Sequence, residues 1–472
     1  MRGMAGIVSY GSYIPYRRLK RAAIAAVLGT PAGKGEKAIA SFDEDSVSMA
    51  VEALRDALKG APGVVPNSLL FATTTPPYAE KLSAAMLGAA ARLPIEIRAA
   101  DVTGSIRAGL TGMLQAADAA KSSGGYAALA VADCRLGAPE GRMEQQGGDG
   151  AAAFVLGNDN VIAEIEASVS LTREYLDTWR NPDERFGHSW EERFALTQAY
   201  APLFAKAVAS VLEKANAKPA DIGRVILDAP NPRAVEEFAR VAKLDPARMA
   251  DSFGLTVGET GAAHAGLMLT AVLPSCKPGD RILMATVADG ADAIVLRVTP
   301  RAAAFRPIHS VGRMVESKGD VSYGNYLKWR EILPTEPPRR PDPERPAAPP
   351  MLRSEKWKFG LTGTRCKACG TPQLPPQRVC VKCRKFDQME PYEFADRSGR
   401  IATYAIDRLA YSLNPPTINV VIDFEGGGRF LCEMTDCDPD KVAIGDQVEM
   451  TFRRLFTADG VHNYFWKARP KR

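Results

Sequence analysis

Four regularly spaced cysteines give the strongest chemical signal in this 472-residue chain. The stretch CKACGTPQLPPQRVCVKC holds two C-x2-C pairs separated by ten residues. Two such pairs supply four thiolates on adjacent turns, which is the ligand set that structural zinc prefers. Because four protein ligands leave no open coordination position, we expect a structural zinc ion without a catalytic role. The predicted ligands are Cys366, Cys369, Cys380 and Cys383.

A second candidate site lies in the stretch AADVTGSIRAGL, residues 99–110. This pattern is typical of a buried strand that ends in a tight turn at Gly104 and continues into a helix. Such a turn often presents a nucleophile at its tip, where the helix N-terminus stabilises an anion. The tip carries Ser105, Ile106 and Arg107. Ser105 is therefore a candidate nucleophile, with capping of the helix as the alternative role.

The elements that would position this turn are repeated along the chain. TGSIRAGL at residue 103 recurs as TGAAHAGL at residue 260, and LLFATTT at residue 69 has the counterpart VILDAPN at residue 225. AVAD, ending at Asp133, matches TVAD, ending at Asp289, at nearly the same offset. Three matches in one order predict two duplicated α/β units about a pseudo-twofold axis. The helices that follow the two TG turns should then lie together at the centre.

Apolar periodicity supports an α/β assignment for about the first 330 residues. The runs SLLFATTT, YAALAVAD and DRILMATVAD are typical of strands that are buried on both faces. The segment EDSVSMAVEALRDALKG places its apolar residues on one face of a helix.

A proline-rich segment, PTEPPRRPDPERPAAPP at residues 334–350, separates these units from the tail. Its composition predicts a semi-rigid linker that forms neither helix nor central strand. Beyond the four cysteines, residues 392–469 read as about five short strands between Gly, Asp and Pro turns. This pattern predicts a small all-β barrel of the oligonucleotide/oligosaccharide-binding (OB) type.

Charge and hydropathy limit the function classes. The net charge of +5 is too weak for its length to argue for nucleic acid, and it fits anionic small substrates equally well. The chain shows no apolar run that approaches the ~20 residues of a membrane span, and no signal-peptide pattern, so we expect a cytoplasmic protein without membrane contact. The basic residues Arg17, Arg18 and Lys20 are candidates for binding the phosphates of a cofactor, with a solvated helix face as the alternative.

Together these motifs resemble a known pairing of families. The duplicated halves, YLDTWRNPDERFGH and GGDGAAAFVLG resemble the thiolase superfamily, in the branch of 3-hydroxy-3-methylglutaryl-CoA synthase and ketoacyl synthase III. The tail resembles the zinc-ribbon and OB-fold module (DUF35) found beside or fused to acyl-CoA thiolases and synthases. The resemblance implies a duplicated α/β/α/β/α thiolase-type core with a C-terminal zinc ribbon and OB barrel. The expected boundaries are 1–165 and 166–333 for the two halves, 334–352 for the linker, 353–391 for the ribbon and 392–472 for the barrel.

The resemblance also shows where catalytic residues would lie. The family acylates a cysteine at the turn of the first half, which aligns with Ile106 or, after a slip of one residue, with Ser105. The family's glutamate aligns with Thr74, its histidine with Asp228 and its asparagine with Glu259. All four positions therefore depart from the family's pattern. An isoleucine has no nucleophilic atom, a serine needs a base, and an ionised aspartate would repel a developing oxyanion.

Asp228 and Glu259 are candidates for a new acid/base pair, and solvated or salt-bridged acids are the alternative. His264 lies one repeat after Arg107 and is a candidate site residue or a packed helix position. Cys134 follows a buried strand and is a candidate structural thiol or a nucleophile.

These assignments predict a protein that binds a CoA thioester and takes part in forming or breaking a C–C bond. It would act with a separate thiolase or as a nucleophile-free retro-aldolase through Asp228 and Glu259. We expect a homodimer formed through the core. The alternative, an OB-fold module that binds nucleic acid, has little support, since the barrel region shows acids such as Asp436 and Asp438 and no interleaved Arg/aromatic platform.

Overall fold

The computed structural model describes residues 5–231, 233–339, 341 and 343–472, and it divides into two compact units. The first unit comprises Met1–Ala40, Asp45–Ala85 and Pro94–Glu316. The second comprises Ser41–Glu44, Met86–Leu93 and Ser317–Arg472. Two short segments from the N-terminal part of the chain therefore belong to the unit that contains the tail.

The strands of the first unit are β1 (Gly6–Tyr13), β2 (Arg17–Lys20), β3 (Glu36–Ile39), β4 (Ser68–Ala72), β5 (Arg98–Val102), β6 (Tyr126–Cys134), β7 (Asp149–Gly157), β8 (Ala163–Thr172), β9 (Thr178–Trp179), β10 (His188–Ser189), β11 (Arg224–Asp228), β12 (Arg281–Val287) and β13 (Gly290–Val298). The helices up to residue 316 are α1 (Arg21–Leu28), α2 (Ser46–Lys59), α3 (Ser83–Ala90), α4 (Ala108–Ser123), α5 (Arg142–Gln146), α6 (Glu192–Phe194), α7 (Ala201–Lys214), α8 (Arg233–Val241), α9 (His264–Val272) and α10 (Val311–Glu316). A π-helix spans Ala195–Tyr200, and a 3₁₀ helix spans Gly261–Ala263.

The main sheet has the strand order β11-β12-β13-β8-β1-β7-β6-β4-β5. The four strands β11-β12-β13-β8 repeat the arrangement β4-β6-β7-β1, with a parallel first pair and antiparallel neighbours in both sets. The two sets meet where β1 pairs with β8 over two residues. The repeat in the sequence thus corresponds to a repeat in the fold.

Alternating side chains divide the sheets into inner and outer faces, as a strand's period of two requires. Ile226 and Met284 belong to a buried cluster that also contains residues of α4 and α9. Leu227 and Leu283, their chain neighbours, belong to a second cluster with residues of α7 and α8. On the other set of strands, α2 contacts β1, β6 and β7. The result is the α/β/α/β/α layering of the thiolase fold.

The helices after the two TG turns lie together at the centre, as the repeat predicts. Residues of α4 and α9 share one buried cluster. A Cβ atom at Gly109, in the first turn of α4, would overlap the carbonyl oxygen of Ala262 in the 3₁₀ helix before α9. Glycine at this position therefore permits the close approach of the two halves.

Three expectations need correction. The basic stretch at residues 17–20 is strand β2, and only Arg21 begins a helix, so a helix face is the wrong description. The proline-rich segment does contain the start of a helix, α12 (Ala348–Arg353), because two prolines occupy its first turn, where no N–H partner is needed.

The third expectation is that no apolar run approaches the length of a membrane span. The continuous helical segment 192–214 is long and apolar enough to cross a membrane by length and composition alone. Buried core helices pass the same test, and Phe204, Val208 and Val211 of this segment lie in the core.

The second unit contains α11 (Tyr323–Trp329), α12, α13 (Glu355–Lys358), β14 (Gly319–Asp320), β15 (Thr362–Cys366), β16 (Pro372–Gln373), β17 (Met389–Glu393), β18 (Gly399–Asp407), β19 (Thr417–Phe424), β20 (Arg429–Met434), β21 (Gln447–Ala458) and β22 (Val461–Pro470). Strands β15–β17 form the small sheet of the ribbon. Strands β18-β19-β20-β22-β21 close into a barrel, which confirms the all-β prediction for the tail.

Buried ion pairs attach the segment Ser41–Glu44 to the barrel within the second unit. Arg453 on β21 pairs with Glu44 and, at 2.5 Å, with Asp436. Lys467 on β22 pairs with Asp43 at 3.0 Å. The side chains of Asp43, Glu44 and Arg453 are fully buried. Burial raises the pKa of Glu44, and Arg453 opposes that rise.

Candidate active site and metal centre

The turn at residues 103–107 ends in a buried apolar side chain. Gly104 has a φ of 101°, a left-handed conformation that favours glycine. Ile106 is 8% exposed, and the Ser105 hydroxyl accepts a long hydrogen bond, 3.4 Å, from the N–H of Arg107. Helix α4 begins at Ala108, so Ser105 does not cap it. Among the described residues, no hydrogen bond from the Ser105 hydroxyl to a base would activate it as a nucleophile.

Arg107 fixes this turn to the second half of the core. Its guanidinium donates to both carboxylate oxygens of Asp292 on β13, at 2.8 and 2.9 Å. Thr111 on α4 donates to the same carboxylate at 2.6 Å. Asp292 is fully buried, and the bidentate ion pair with Arg107 compensates the charge of its carboxylate. The turn where the family places its nucleophile is therefore built around an ion pair.

A buried carboxylate, Asp133, organises the carboxyl ends of β4 and β6. It accepts hydrogen bonds from the hydroxyls of Thr73, Thr74 and Thr75 at 2.9 to 3.1 Å. It also accepts from the N–H of Ala262 at 2.7 Å, at the start of the 3₁₀ helix before α9. The resemblance aligns Thr74 with the family's glutamate. In this structure the Thr74 hydroxyl donates a hydrogen bond to Asp133.

Sequence reasoning did not single out Asp133 as a site residue. The threonine run follows β4, and Asp133 stands next to the last residue of β6. Because β4 and β6 pair in parallel, their carboxyl ends meet at one edge of the sheet, so the sequence did carry a signal for this cluster.

Glu259 lies close enough to Asp228 for its charge to influence the ionisation of Asp228. Asp228 ends β11 and is 6% exposed, so it is not a solvated acid. Burial raises the pKa of Asp228 well above its usual range, the charge of Glu259 adds to the rise, and Arg135 opposes it. The raised pKa favours the protonated form of Asp228, which can donate a hydrogen bond, and the role of Asp228 in chemistry stays a prediction.

Glu259 titrates near neutral pH. Burial raises its pKa to about 7, although Arg142, Arg135 and Arg21 favour the charged form. The Arg142 guanidinium lies 4.0 Å from a carboxylate oxygen of Glu259. The N–H of Glu259 donates to the carbonyl of Gln146, the last residue of α5, and the carbonyl of Glu259 accepts from the N–H of Gly148. Burial therefore raises the pKa of both acids.

His264 is a buried, neutral imidazole beside this pair. It begins α9, and burial lowers its pKa to about 4. Its Nδ1 accepts a hydrogen bond from the N–H of Thr260 at 3.3 Å. The imidazole thus supports the loop that carries Glu259, and its role in chemistry stays a prediction.

The other candidates occupy different settings. Cys134 is half-buried at the end of β6, and its N–H donates to the Thr75 hydroxyl at 2.9 Å, which fits a structural position. Arg18 is fully buried, donates to the carbonyls of Pro15 and Met314, and so cannot reach a ligand phosphate in this conformation. Lys20 is exposed and Arg17 is half-buried over the Tyr16 ring, so phosphate binding by these two remains a prediction.

The four predicted metal ligands converge. The sulfur atoms of Cys366, Cys369, Cys380 and Cys383 all lie within 4.8 Å of one another. The pairs Cys366–Cys383 and Cys369–Cys380 are 3.6 and 3.5 Å apart, close to the ~3.8 Å edge of a ZnS₄ tetrahedron with Zn–S bonds of about 2.3 Å. The N–H groups of Lys382 and Cys383 face the Cys380 sulfur at 3.4 Å. This closed thiolate set fits a structural zinc ion, which would hold the ribbon's turns together.

Comparison with known proteins agrees with both parts of the chain. Residues 212–298 match the family model "3-Oxoacyl-[acyl-carrier-protein (ACP)] synthase III C terminal". Residues 360–390 match "ChsH2, rubredoxin-like zinc ribbon domain", and residues 392–453 match "ChsH2, C-terminal OB-fold domain". The fold and these matches define a thiolase-superfamily core that carries a Cys₄ zinc ribbon and an OB barrel.

Sequence similarity identifies the branch. A hydroxymethylglutaryl-CoA synthase of Picrophilus torridus is 31% identical over 348 residues, which cover 70% of this chain and 98% of that protein. The chain therefore belongs to the hydroxymethylglutaryl-CoA synthase family. An HMG-CoA synthase complexed with CoA has the same fold, with a TM-score of 0.62 and 15% identity over 69% of this chain and 90% of that one. The synthase III (FabH) of Pseudomonas aeruginosa aligns with a TM-score of 0.57 and 21% identity over 63% of this chain and 98% of that one.

Proposed function

We propose that this protein binds a CoA thioester and breaks or forms a C–C bond in its acyl group without an acyl-enzyme intermediate. The observation that carries the proposal is a pair of acids with raised pKa values, Asp228 at the carboxyl end of β11 and Glu259 in the loop before the 3₁₀ helix Gly261–Ala263. Glu259, with a pKa of about 7, can accept and return a proton, whereas burial raises the pKa of Asp228 and favours its protonated form, which donates a hydrogen bond.

In the cleavage direction the substrate is a 3-hydroxyacyl-CoA. Glu259 takes the proton of the 3-hydroxyl group, C3 becomes a carbonyl, and the C2–C3 bond breaks. The electron pair of that bond moves onto the thioester as an enolate, and Asp228 donates a hydrogen bond to its oxygen. Glu259 then returns the proton to C2, which yields an acyl-CoA shortened by the released carbonyl compound. No other reactant is consumed, and the reverse sequence is an aldol addition.

Family membership supports the substrate class. The relative from Picrophilus torridus is a hydroxymethylglutaryl-CoA synthase, and one solved HMG-CoA synthase is complexed with CoA. The buried Ile106 at the aligned nucleophile position favours a route without an acyl-enzyme. The three arginines around Glu259 favour an anionic ligand.

The test is incubation of the purified protein with a panel of 3-hydroxyacyl-CoA thioesters, including 3-hydroxy-3-methylglutaryl-CoA, and chromatographic detection of shortened acyl-CoA. We expect cleavage that Glu259→Gln abolishes and that the exposed control Glu213→Gln leaves unchanged. Intact-mass measurement should show no acyl adduct. Full activity in Glu259→Gln, or an adduct that forms at the rate of turnover, would refute the proposal.

We also propose that the chain works as a homodimer with a separate thiolase subunit. The absence of a nucleophilic atom at Ile106 supports the thiolase partner, because any acyl-transfer step would need a nucleophile from another protein. Light scattering of the purified chain tests the dimer. Mass spectrometry of the complex isolated from native cells tests the thiolase, whose absence from every preparation would contradict this partnership.

A further inference from the structure

Two buried polar atoms at the carboxyl ends of β11 and β12 have no hydrogen-bond partner within the described residues. They are Oδ2 of Asp228 and Oγ1 of Thr286. The two residues are 6% and 1% exposed. An unpaired buried polar group opposes folding, and buried groups are therefore almost always paired. Two unpaired atoms at one place indicate a group that meets a ligand.

The two side chains share one face of the sheet. Asp228 and Thr286 are register partners of the parallel pair β11–β12, and Thr286 is in turn the partner of Asp292 on β13. Adjacent strands lie about 4.8 Å apart, and register partners point to the same side. Two residues earlier, Ile226 and Met284 belong to the inner cluster with α4 and α9. Asp228 and Thr286 therefore face the same inner side.

The third member of this row is already satisfied. Arg107 and Thr111 donate hydrogen bonds to the carboxylate of Asp292, so both of its oxygens have donors without Thr286. Arg107 belongs to the turn at which the resemblance places the family's nucleophile. Thr286 thus stands between Asp228 and an ion pair that leads to that turn.

We propose that the Thr286 hydroxyl and Asp228 Oδ2 donate hydrogen bonds to one ligand oxygen, the thioester oxygen that carries the charge of the enolate. This inference rests on the proposed function and adds Thr286 as a substrate-contacting residue. A threonine hydroxyl always offers a donor, and the raised pKa of Asp228 favours its protonated form, which offers a second donor. Donors that the sheet holds in place before charge develops stabilise a transition state without reorganisation.

The test uses binding as well as turnover. Calorimetry compares the affinities of CoA and of a CoA derivative whose acyl group is replaced by a nitronate, which imitates the enolate. Thr286→Val should weaken nitronate binding by about tenfold or more, the effect of losing one hydrogen bond to a charged group, and leave CoA affinity unchanged. Thr286→Ser, which keeps the hydroxyl, should retain wild-type nitronate affinity.

Thermal unfolding separates a ligand group from a structural one. Thr286→Val should unfold at the wild-type temperature or above it, because its hydroxyl has no partner to lose. The control Thr111→Val, which loses a hydrogen bond to Asp292, should unfold at a lower temperature. Unchanged nitronate affinity in Thr286→Val, or a loss of stability as large as that of Thr111→Val, would overturn the inference. If the wild type cleaves no 3-hydroxyacyl-CoA, the proposed function fails, while nitronate binding still decides the role of Thr286.

Discussion

Replacement of Glu259 by glutamine should make the protein more stable than the wild type, and increasingly so as the pH rises from about 4.5 to 7. Burial raises the pKa of Glu259 in the folded protein from its usual 4.5 to about 7. Each unit of difference corresponds to about 1.4 kcal/mol, so ionisation of Glu259 opposes folding by about 3 kcal/mol.

The sign follows from the proton balance. Because the folded pKa is the higher one, the folded state binds more protons than the unfolded state between pH 4.5 and 7. The contribution of protonated Glu259 to stability is complete below pH 4.5 and is lost as the pH rises through 7. Glutamine imitates the protonated form and does not titrate, so the variant avoids this loss.

Urea unfolding followed by tryptophan fluorescence at several pH values measures the effect. The difference in unfolding free energy between Glu259→Gln and the wild type should grow by about 3 kcal/mol across the window and stay constant above it. The exposed variant Glu213→Gln should show no such growth. A difference that does not change with pH would refute the burial argument, and with it the role of Glu259 as a base near neutral pH.

Four further predictions follow from the contacts described above. Cys366→Ser, or a chelator, should lower the unfolding temperature of the second unit in calorimetry, because metal binding contributes directly to the folding of a small ribbon; an unchanged transition would exclude a metal there. Ser105→Ala should leave any turnover of acyl-CoA unchanged, and a large loss of rate would instead make this serine a nucleophile. Asp133→Ala should destabilise the protein by about 3 kcal/mol or more in urea titration, since it leaves several buried donors unpaired, and a neutral effect would contradict its anchoring role. Arg453→Met should cost about 3–5 kcal/mol by the same assay, because Glu44 and Asp436 would remain buried without their partner; restoration of stability by adding Glu44→Gln would support this reason.

The sequence by itself determined the elements of this protein and its metal centre. Apolar runs such as YAALAVAD became buried strands, the repeated TG turns became the central contact between α4 and α9, and the tail's five short strands closed into a barrel. The four cysteines came together as their spacing predicts. These features depend on local periodicity and short spacings, which the order of residues displays directly.

The tertiary structure decided what the acids do. Asp228, Glu259 and Asp133 are ordinary acids in the sequence, and only their burial and neighbours raise the pKa of the first two and make the third an anchor for a threonine run. It also buried Arg18 away from any ligand and placed Glu44 inside the second unit, against Arg453. Protonation and pairing depend on desolvation and on residues far apart in the chain, so no local pattern could show them.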